Sequence, residues 1–443
     1  MRPKAIAALG LLLCAACAAH AGIYYDDSAE CIRVVDFPQE APCTLGRLLQ
    51  MDRLYGWEMV TWDQERDAYT IAANLCIGSN DGTDTWFQIG GAQRPRETLI
   101  MQGNLVVYPY WIEGENRGEH YSAVPRTVNR LTIGVPGDDS VTAALKFHDQ
   151  NEAGSSLFLG RIPGPEGTVR QGHGGQLHVH HGVITSATPR PGGEFGATTA
   201  VGGMSLTGDS VVLDHATLSW ISGAATYGMS HNATVRHSVF EHLGTAMING
   251  KQDLVGCTFR NCETAVRDYG SLDAVLTDCV FEGNEHNWTL TYTDKGLVCI
   301  DCTWDQPREG NLYRSWENPR TGQVQYPSFV SKRHIIVEVV DDAGEPVPGA
   351  VVTARCEQET PELTVENATQ QTDELGRTPG EGEDGAILLV EVVKRATDVE
   401  NQPEVAEFSY TIEATAEGLA PGVVEHFRPA ESWDVVRIVL GKR

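Results

Sequence analysis

Between residues 209 and 305 the apolar residues return in a fixed phase: Val211-x-Leu213-x-x-Ala216-x-Leu218, Ala233-x-Val235-x-x-Ser238-x-Phe240, Gln252-x-Leu254-x-x-Cys257-x-Phe259, Ala274-x-Leu276-x-x-Cys279-x-Phe281 and Leu297-x-Cys299-x-x-Cys302-x-Trp304. The last anchors of these units stand 22, 19, 22 and 23 residues apart. Two alternating pairs split by two polar residues predict a strand, a tight corner and a second strand, with the alternation keeping the named residues on the inside. A repeat of about 20 to 24 residues in Val, Leu, Phe, Thr and Cys, with Gly and Asn at the corners, predicts stacked coils. Leu177-x-Val179-His180-His181-Gly182-Val183-Ile184 fits the same phase, so regular winding begins there at the latest. Apolar runs at 99–101, 105–108 and 131–135, separated by Gly, Pro and Asn, predict earlier and less regular coils.

The flanks have other textures. At 44–55 the spacing of Leu45, Leu48, Leu49 and Met51 predicts a helix, and 57–88 reads as short strands with a turn at Asn80-Asp81-Gly82. An open first coil exposes an apolar end and unpaired strand edges, so 22–95 is expected to be an N-terminal cap. The Gly-, Pro- and Thr-rich stretch 185–208 is expected to be a loop extending from one coil, where solenoids commonly carry or cover a binding surface. The repeat stops after Trp304, and a Pro-, Gly- and Asn-rich connection follows over 306–332. Beyond it, HIIVEVVDDAGEPVPGAVVTARC reads strand, turn, strand, with further strands expected near 409–415 and 435–440.

On these residues the repeat resembles the right-handed parallel β-helix of the pectate-lyase-like superfamily. The segment from Arg333 to Arg443, through 341–351 and the turn Thr372-Asp373-Glu374-Leu375-Gly376-Arg377, resembles the carboxypeptidase regulatory-like domain, a small transthyretin-like β-sandwich. The fold implied is all-β: a right-handed parallel β-helix solenoid over 96–305, the N-terminal cap over 22–95, a linker over 306–332 and a C-terminal β-sandwich over 333–443. The sandwich resemblance implies an accessory module that binds, spaces or stabilises. No zinc-ligand set of the H-x-x-E or H-E-x-x-H kind occurs in it, so no peptidase activity is implied.

Compartment and charge narrow the partners. Arg2 and Lys4, an apolar run over 5–16 and the small-x-small site Ala19-His20-Ala21 read as a signal peptide over 1–21, too short to span a bilayer as a retained helix. Lipidation at Cys17 is the lesser alternative, because Cys14 is an unusual residue three places earlier. The protein is therefore expected to be secreted, periplasmic or at the cell surface, peripheral to a membrane at most, and monomeric. Net charge is -27, and loss of Arg2 and Lys4 leaves 31 basic against 60 acidic residues, or -29. Such a surface repels nucleic acid and anionic lipid, and would need bridging cations to hold an acidic polymer. Of nine cysteines beyond the leader, Cys31 and Cys43 are the better disulfide candidates for an oxidising compartment. Cys257, Cys279 and Cys302 share an inward column at about 4.8 Å spacing and read as small buried hydrophobes, not as converging metal ligands.

Three places could carry chemistry. Asp214-His215-Ala216-Thr217-Leu218-Ser219-Trp220 is similar to the Asp-His-x-x-x-Ser-Trp stretch of many pectate-lyase-like proteins, but the acidic pair that follows the Trp there is replaced by Ile221-Ser222. That departure removes the carboxylates a polyuronate lyase uses to hold calcium. On the repeat phase His181, His215 and His237 share a corner column, which suits a proton relay or metal site; the plainer reading is polar corner stacking. The second place is the strand after each anchor. With Ile248, Val266 and Leu290 inward, Asn249 and Arg267 face outward, Lys251 and Tyr269 lie two residues on, and Asp268, Tyr292 and Asp294 are nearby. In polysaccharide-active β-helices the cleft runs along this sheet, so the resemblance implies Arg267, Lys251, Asp268 and Tyr269 as catalytic candidates. Asn249, Tyr292, Asp294 and His215 are the corresponding substrate contacts. An Arg or Lys base would serve β-elimination and paired Asp residues hydrolysis. Calcium is the cofactor such chemistry would call for, although no ligand set identifies the metal. The third place, Gln171-Gly172-His173-Gly174-Gly175, is similar to the Gly-His-Gly of polygalacturonase-like hydrolases and is expected to be a turn. Two functions stay open: an enzyme that binds and cleaves extracellular polysaccharide as a lyase or glycosidase, and a non-catalytic surface or matrix scaffold.

Overall fold

The computed structural model describes residues 22–27, 29–78, 84–107, 111–112, 129–148, 157–159, 161–163, 169–173, 175–187, 211–227, 233–248, 250, 252–268, 272, 274–291, 296–358 and 365–443. The signal-peptide stretch 1–21, the turn 80–82 and most of the 185–208 loop therefore lie outside the described residues. The chain is almost entirely β, built on long parallel sheets and a separate antiparallel sheet, consistent with a solenoid-like fold. No helix among the described residues is long and apolar enough to cross a membrane. Two compact units are present: one runs to Gln252 and includes Thr258–Val266, the other comprises Asp253–Cys257 and Arg267–Arg443.

In the first unit three sheets receive parallel strands in rotation as far as Leu157–Leu159, and from Gly175 on the described strands alternate between the first two. One contains Cys43–Thr44, Thr85–Ile89, Asn129–Ile133, Gly175–His180, Val211–Asp214 and Thr234–Arg236. The second runs from Ala68–Ile71 through Thr98–Met101, Ala144–Phe147 and Val183–Ser186 to Thr217–Tyr227, Val239–Ile248 and Thr258–Arg260. The third holds Cys31–Val34, Asn74–Ile77, Leu105–Val107 and Leu157–Leu159. Parallel winding thus already starts at Cys31, inside the stretch expected to be the cap. What closes the edges is smaller: Ile23–Asp26 and Val60–Asp63 each add one antiparallel strand. Such covering strands leave fewer ladder groups unpaired.

Register repeats the sequence phase. Leu131, Leu177, Val211 and Ile133, Val179, Leu213 face each other on neighbouring strands and are buried, 0–3% exposed. At about 25 cal/mol per Å² of apolar surface, these continuous inward columns are the main favourable term holding successive turns together. The predicted helix is Leu45–Tyr55, with Leu45, Leu48 and Leu49 buried. Its N-cap Thr44 accepts the Arg47 N–H at 3.4 Å, and its C-cap Gly56 adopts φ 69 and donates its N–H to Asp52 O at 2.8 Å. Gly tolerates that left-handed cap without a Cβ clash.

In the second unit Leu254–Val255, Val275–Thr277, Leu297–Ile300 and the first residues of Ser328–Asp341 form parallel pairs. Cys257, Cys279 and Cys302 are 0% exposed, and each thiol donates to the carbonyl two residues back, at 3.5, 3.4 and 3.4 Å. They fill core. The stretch 306–332 carries strands Leu312–Tyr313, Trp316–Glu317 and Val324–Gln325 and the start of Ser328–Asp341. That last strand pairs in parallel with Leu297–Ile300 at one end and with Asp434–Leu440 at the other. Beyond it, Val351–Cys356, Thr369–Gln371, Tyr410–Thr415 and Gly422–Phe427 form an antiparallel sheet. Ile335, Val337, Val352, Leu389, Ile412 and Ile438 from both C-terminal sheets share one core.

The expected Cys31–Cys43 disulfide is absent: all nine described cysteines carry free thiols. Cys31 sits in the third sheet and clusters with Cys76 and Val106, whereas Cys43 enters the first sheet beside Phe87, and burial pushes its thiol up to about 12. Residues close in sequence were wound onto different sheets. The Gly-His-Gly stretch is not a simple turn either, because Val169–His173 pairs antiparallel with Trp111–Ile112 and Arg161–Pro163.

Candidate functional site

Each coil corner is a single residue in the left-handed region. In the first unit His181 (φ 50), His215 (φ 53) and His237 (φ 49) occupy it, and the equivalent sequence positions further on are Gly256 (φ 62), Asp278 (φ 53) and Asp301 (φ 52). Non-Gly residues rarely hold this conformation, and His, Asn and Asp are the usual exceptions. The corner is fixed by the next turn of chain: His181 N–H donates to Asp214 O at 3.0 Å and His215 N–H to Arg236 O at 3.1 Å. Identical backbone geometry on successive turns forces the side chains into a stack. The His181 and His215 rings lie 4.7 Å apart at 20°, and the His215 and His237 rings 4.9 Å apart at 34°.

Asp214 organises the charge beside this stack. Its side chain is 10% exposed, with Oδ1 2.8 Å from His215 Nδ1 and Oδ2 accepting from the Arg236 guanidinium at 2.7 Å. The Arg236 hydrogen bond, followed by that from His215, holds the carboxyl down at about 2 against the opposing effect of burial. An ionised carboxylate can only accept, so His215 Nδ1 carries the proton and Nε2 is left as the basic nitrogen. Behind them His180 is 7% exposed, its Nδ1 3.9 Å from Asp214 Oδ2 and without a hydrogen-bond partner among the described residues. Burial lowers its pKa, so it is neutral near pH 7.

Of the residues expected at a site, the structure brings His215 together with His181 and His237 as a column and adds Asp214, Arg236 and His180. On the strand after the anchors, Val266 and Leu290 are inward as expected, at 0% exposure. Ile248 is not: Met247 is the buried residue, 1% exposed, and Ile248 is half-buried. A second left-handed corner lies inside the same strand, at His242 (φ 52), and every residue from Leu243 to Met247 after it is buried. Arg267 is half-buried at the end of Thr264–Arg267. Asp268 belongs to no outward face, because it is 0% exposed, with Oδ1 accepting Leu272 N–H at 3.1 Å and its carbonyl accepting the Thr291 hydroxyl. It ties a turn together. Lys251, Tyr269, Asn249, Tyr292 and Asp294 lie outside the described residues, so the expected cluster around Arg267 cannot be assembled from them.

The second corner column was missed in the sequence. In the first unit it comprises Trp220 (φ 56), His242 (φ 52) and Asn261 (φ 53), each two residues after an anchor, and Trp220 stacks on His242 at 4.1 Å; Gly283 (φ 60) holds the equivalent sequence position further on. Also unanticipated is an outward row in the first unit, where Trp86, Arg130 and Gln176 are register partners. The Arg130 guanidinium lies 3.8 Å over the Trp86 ring and donates to Gln176 Oε1 at 2.6 Å. Among the described residues no group of three or more His, Cys, Asp or Glu converges as a metal site. Compared with known proteins, the chain matches no family model, no curated protein and no solved structure. Function therefore rests on the site itself.

Proposed function

We propose that this is an exported protein whose stacked coils form a right-handed parallel β-helix, followed by a transthyretin-like sandwich, and that it binds extracellular polysaccharide along the side of the helix. The observation that carries the reading is the imidazole column. The His181, His215 and His237 rings stack with centroids 4.7 and 4.9 Å apart, and His215 and His237 are exposed, so successive turns present a row of imidazoles. Asp214 and Arg236 sit in the same row as a charged pair. A periodic line of hydrogen-bonding groups suits a periodic, hydroxylated ligand. Affinity electrophoresis on a panel of uronans and neutral glycans tests this, with at least tenfold weaker retention expected for His215→Ala and His237→Ala. Unaltered retention of both variants, or no retention of the parent on any glycan, overturns the proposal.

A cleaving version is favoured by one feature. His215 has its Nδ1 oriented by Asp214 and its side chain half exposed, as a general base needs. Absorbance of unsaturated products and reducing-end release measure turnover directly. Turnover lost in His215→Ala and kept in Arg267→Ala assigns it to the corner, and the reverse returns it to the neighbouring strand.

A further inference from the structure

The first unit also carries an open pocket of about 550 Å³ well away in sequence from the histidine column. This volume falls in the range of small-molecule sites, roughly 300–1,000 Å³. Part of its wall is the start of helix Leu45–Tyr55, with Thr44, Gly46 and Arg47 lining it. A helix N-terminus directs unsatisfied N–H groups and partial positive charge outward. The first turn contains no acidic residue to offset them. Arg47 is exposed, its guanidinium 4.7 Å over the Phe37 ring, and no carboxylate among the described residues pairs with it.

Across the cavity the polar groups are fixed from behind. Arg94 is held by Asp67 Oδ1 at 3.0 Å and the Tyr69 hydroxyl at 2.6 Å, and lies over the Trp62 ring at 4.9 Å. Gln88 also lines the space, its side-chain amide bridging Gly90 O and Gly134 O at 3.0 and 3.1 Å. Glu97 is 4% exposed and accepts the Gly90 N–H at 2.9 Å, while burial raises its pKa. In a chain of net charge -27, two guanidinium groups and a helix N-terminus thus surround one buried acid, and Arg94 is already paired with Asp67.

We propose that this cavity binds a small hydroxylated monoanion, a sugar acid, with its carboxylate between Arg47 and the helix N-terminus and its hydroxyls on Gln88 and Glu97. A dianion such as a sugar phosphate fits less well, because Asp67 already neutralises Arg94 and Glu97 adds a further acid. The assignment is independent of polysaccharide binding at the histidine column.

Isothermal titration of the full chain with sodium glucuronate is the test. Saturable binding is expected, weakened at least tenfold in Arg47→Ala, with no measurable binding of glucose. Arg47 is exposed, so an unchanged unfolding midpoint in Arg47→Ala shows that any loss is local. Arg94→Gln supplies a second weakened variant. Absence of glucuronate binding, equal binding of glucose, tighter binding of glucose 6-phosphate, or unchanged affinity in both variants overturns the proposal. An oligosaccharide ending in glucuronate separates the sources: binding equal to the free acid identifies a chain end, and exclusion identifies a free sugar acid, both within the proposal. Since the probe is a monomer, failure of the column to bind polymer leaves the result intact.

Discussion

Asp214→Asn removes one charge and little volume from the corner, so its effect isolates electrostatics. In the folded chain the Asp214 carboxyl is held at about 2 against an ordinary 3.8. At 1.36 kcal/mol per unit this depression is worth about 2 kcal/mol of folding stability. Arg236 is 54% exposed, so solvent screening reduces the expected loss to about 1–2 kcal/mol. With a urea slope of about 3 kcal/mol/M, the unfolding midpoint should fall by roughly 0.3–0.7 M at pH 7. A depressed carboxyl pKa stabilises the fold above the unfolded value and ceases to do so as pH drops through the folded value. The gap between parent and variant should therefore be full above pH 4 and close between pH 4 and pH 2. Urea unfolding followed by tryptophan fluorescence at pH 7, 4, 3 and 2 measures this. A cycle with Arg236→Gln should return a coupling of at least about 0.5 kcal/mol. The same penalty at pH 7 and pH 2 would mean that packing, not charge, was lost, and no penalty at pH 7 would refute the stabilising pair.

The left-handed corner makes His237→Val cost about 1–2 kcal/mol, since a β-branched side chain fits φ 49 poorly, whereas His237→Gly should be tolerated; thermal unfolding of both variants compares them. Trp288 is fully buried and donates its indole N–H to the Tyr313 hydroxyl at 2.7 Å, so Tyr313→Phe should lose about 1–3 kcal/mol through an orphaned donor, and chemical denaturation at pH 7 would show a null result plainly. Alkylation of the native chain should modify Cys356, which is partly exposed, before Cys257, Cys279 and Cys302; mass spectrometry with and without urea reads the order, and early labelling of the buried three contradicts the core assignment.

The parts of the fold legible beforehand were those repeated along the chain. Val211, Leu213, Ala216 and Leu218 announce their inward facing through spacing alone, and burial confirms each, at 0–3% exposed. The helix at 45–55 was legible for the same reason, through the spacing of Leu45, Leu48, Leu49 and Met51. The His181, His215, His237 column followed from the phase, yet the phase carried no information about Arg236 reaching back to Asp214. That contact joins residues 22 positions apart and depends on the corner torsion. Trp220 and His242 escaped notice because one apolar alternation passes into the next without a polar pair to mark the second corner.

Alone, then, the sequence determined the β character, the turn-by-turn parallel stacking and the inward columns, because period-2 burial repeated every 19 to 23 residues admits few other packings. Only the tertiary structure decided which polar residues act together. Asp268, a catalytic candidate placed near Arg267, is sealed in a turn, and Cys31 meets Cys76 instead of Cys43. Arg47, Arg94 and Glu97 converge on a cavity from positions with no shared period. Core residues answer to a local rule, since each must only point away from water. The partners of a polar side chain are set by where distant turns of chain bring complementary atoms within hydrogen-bonding reach, and no spacing along the chain records that distance.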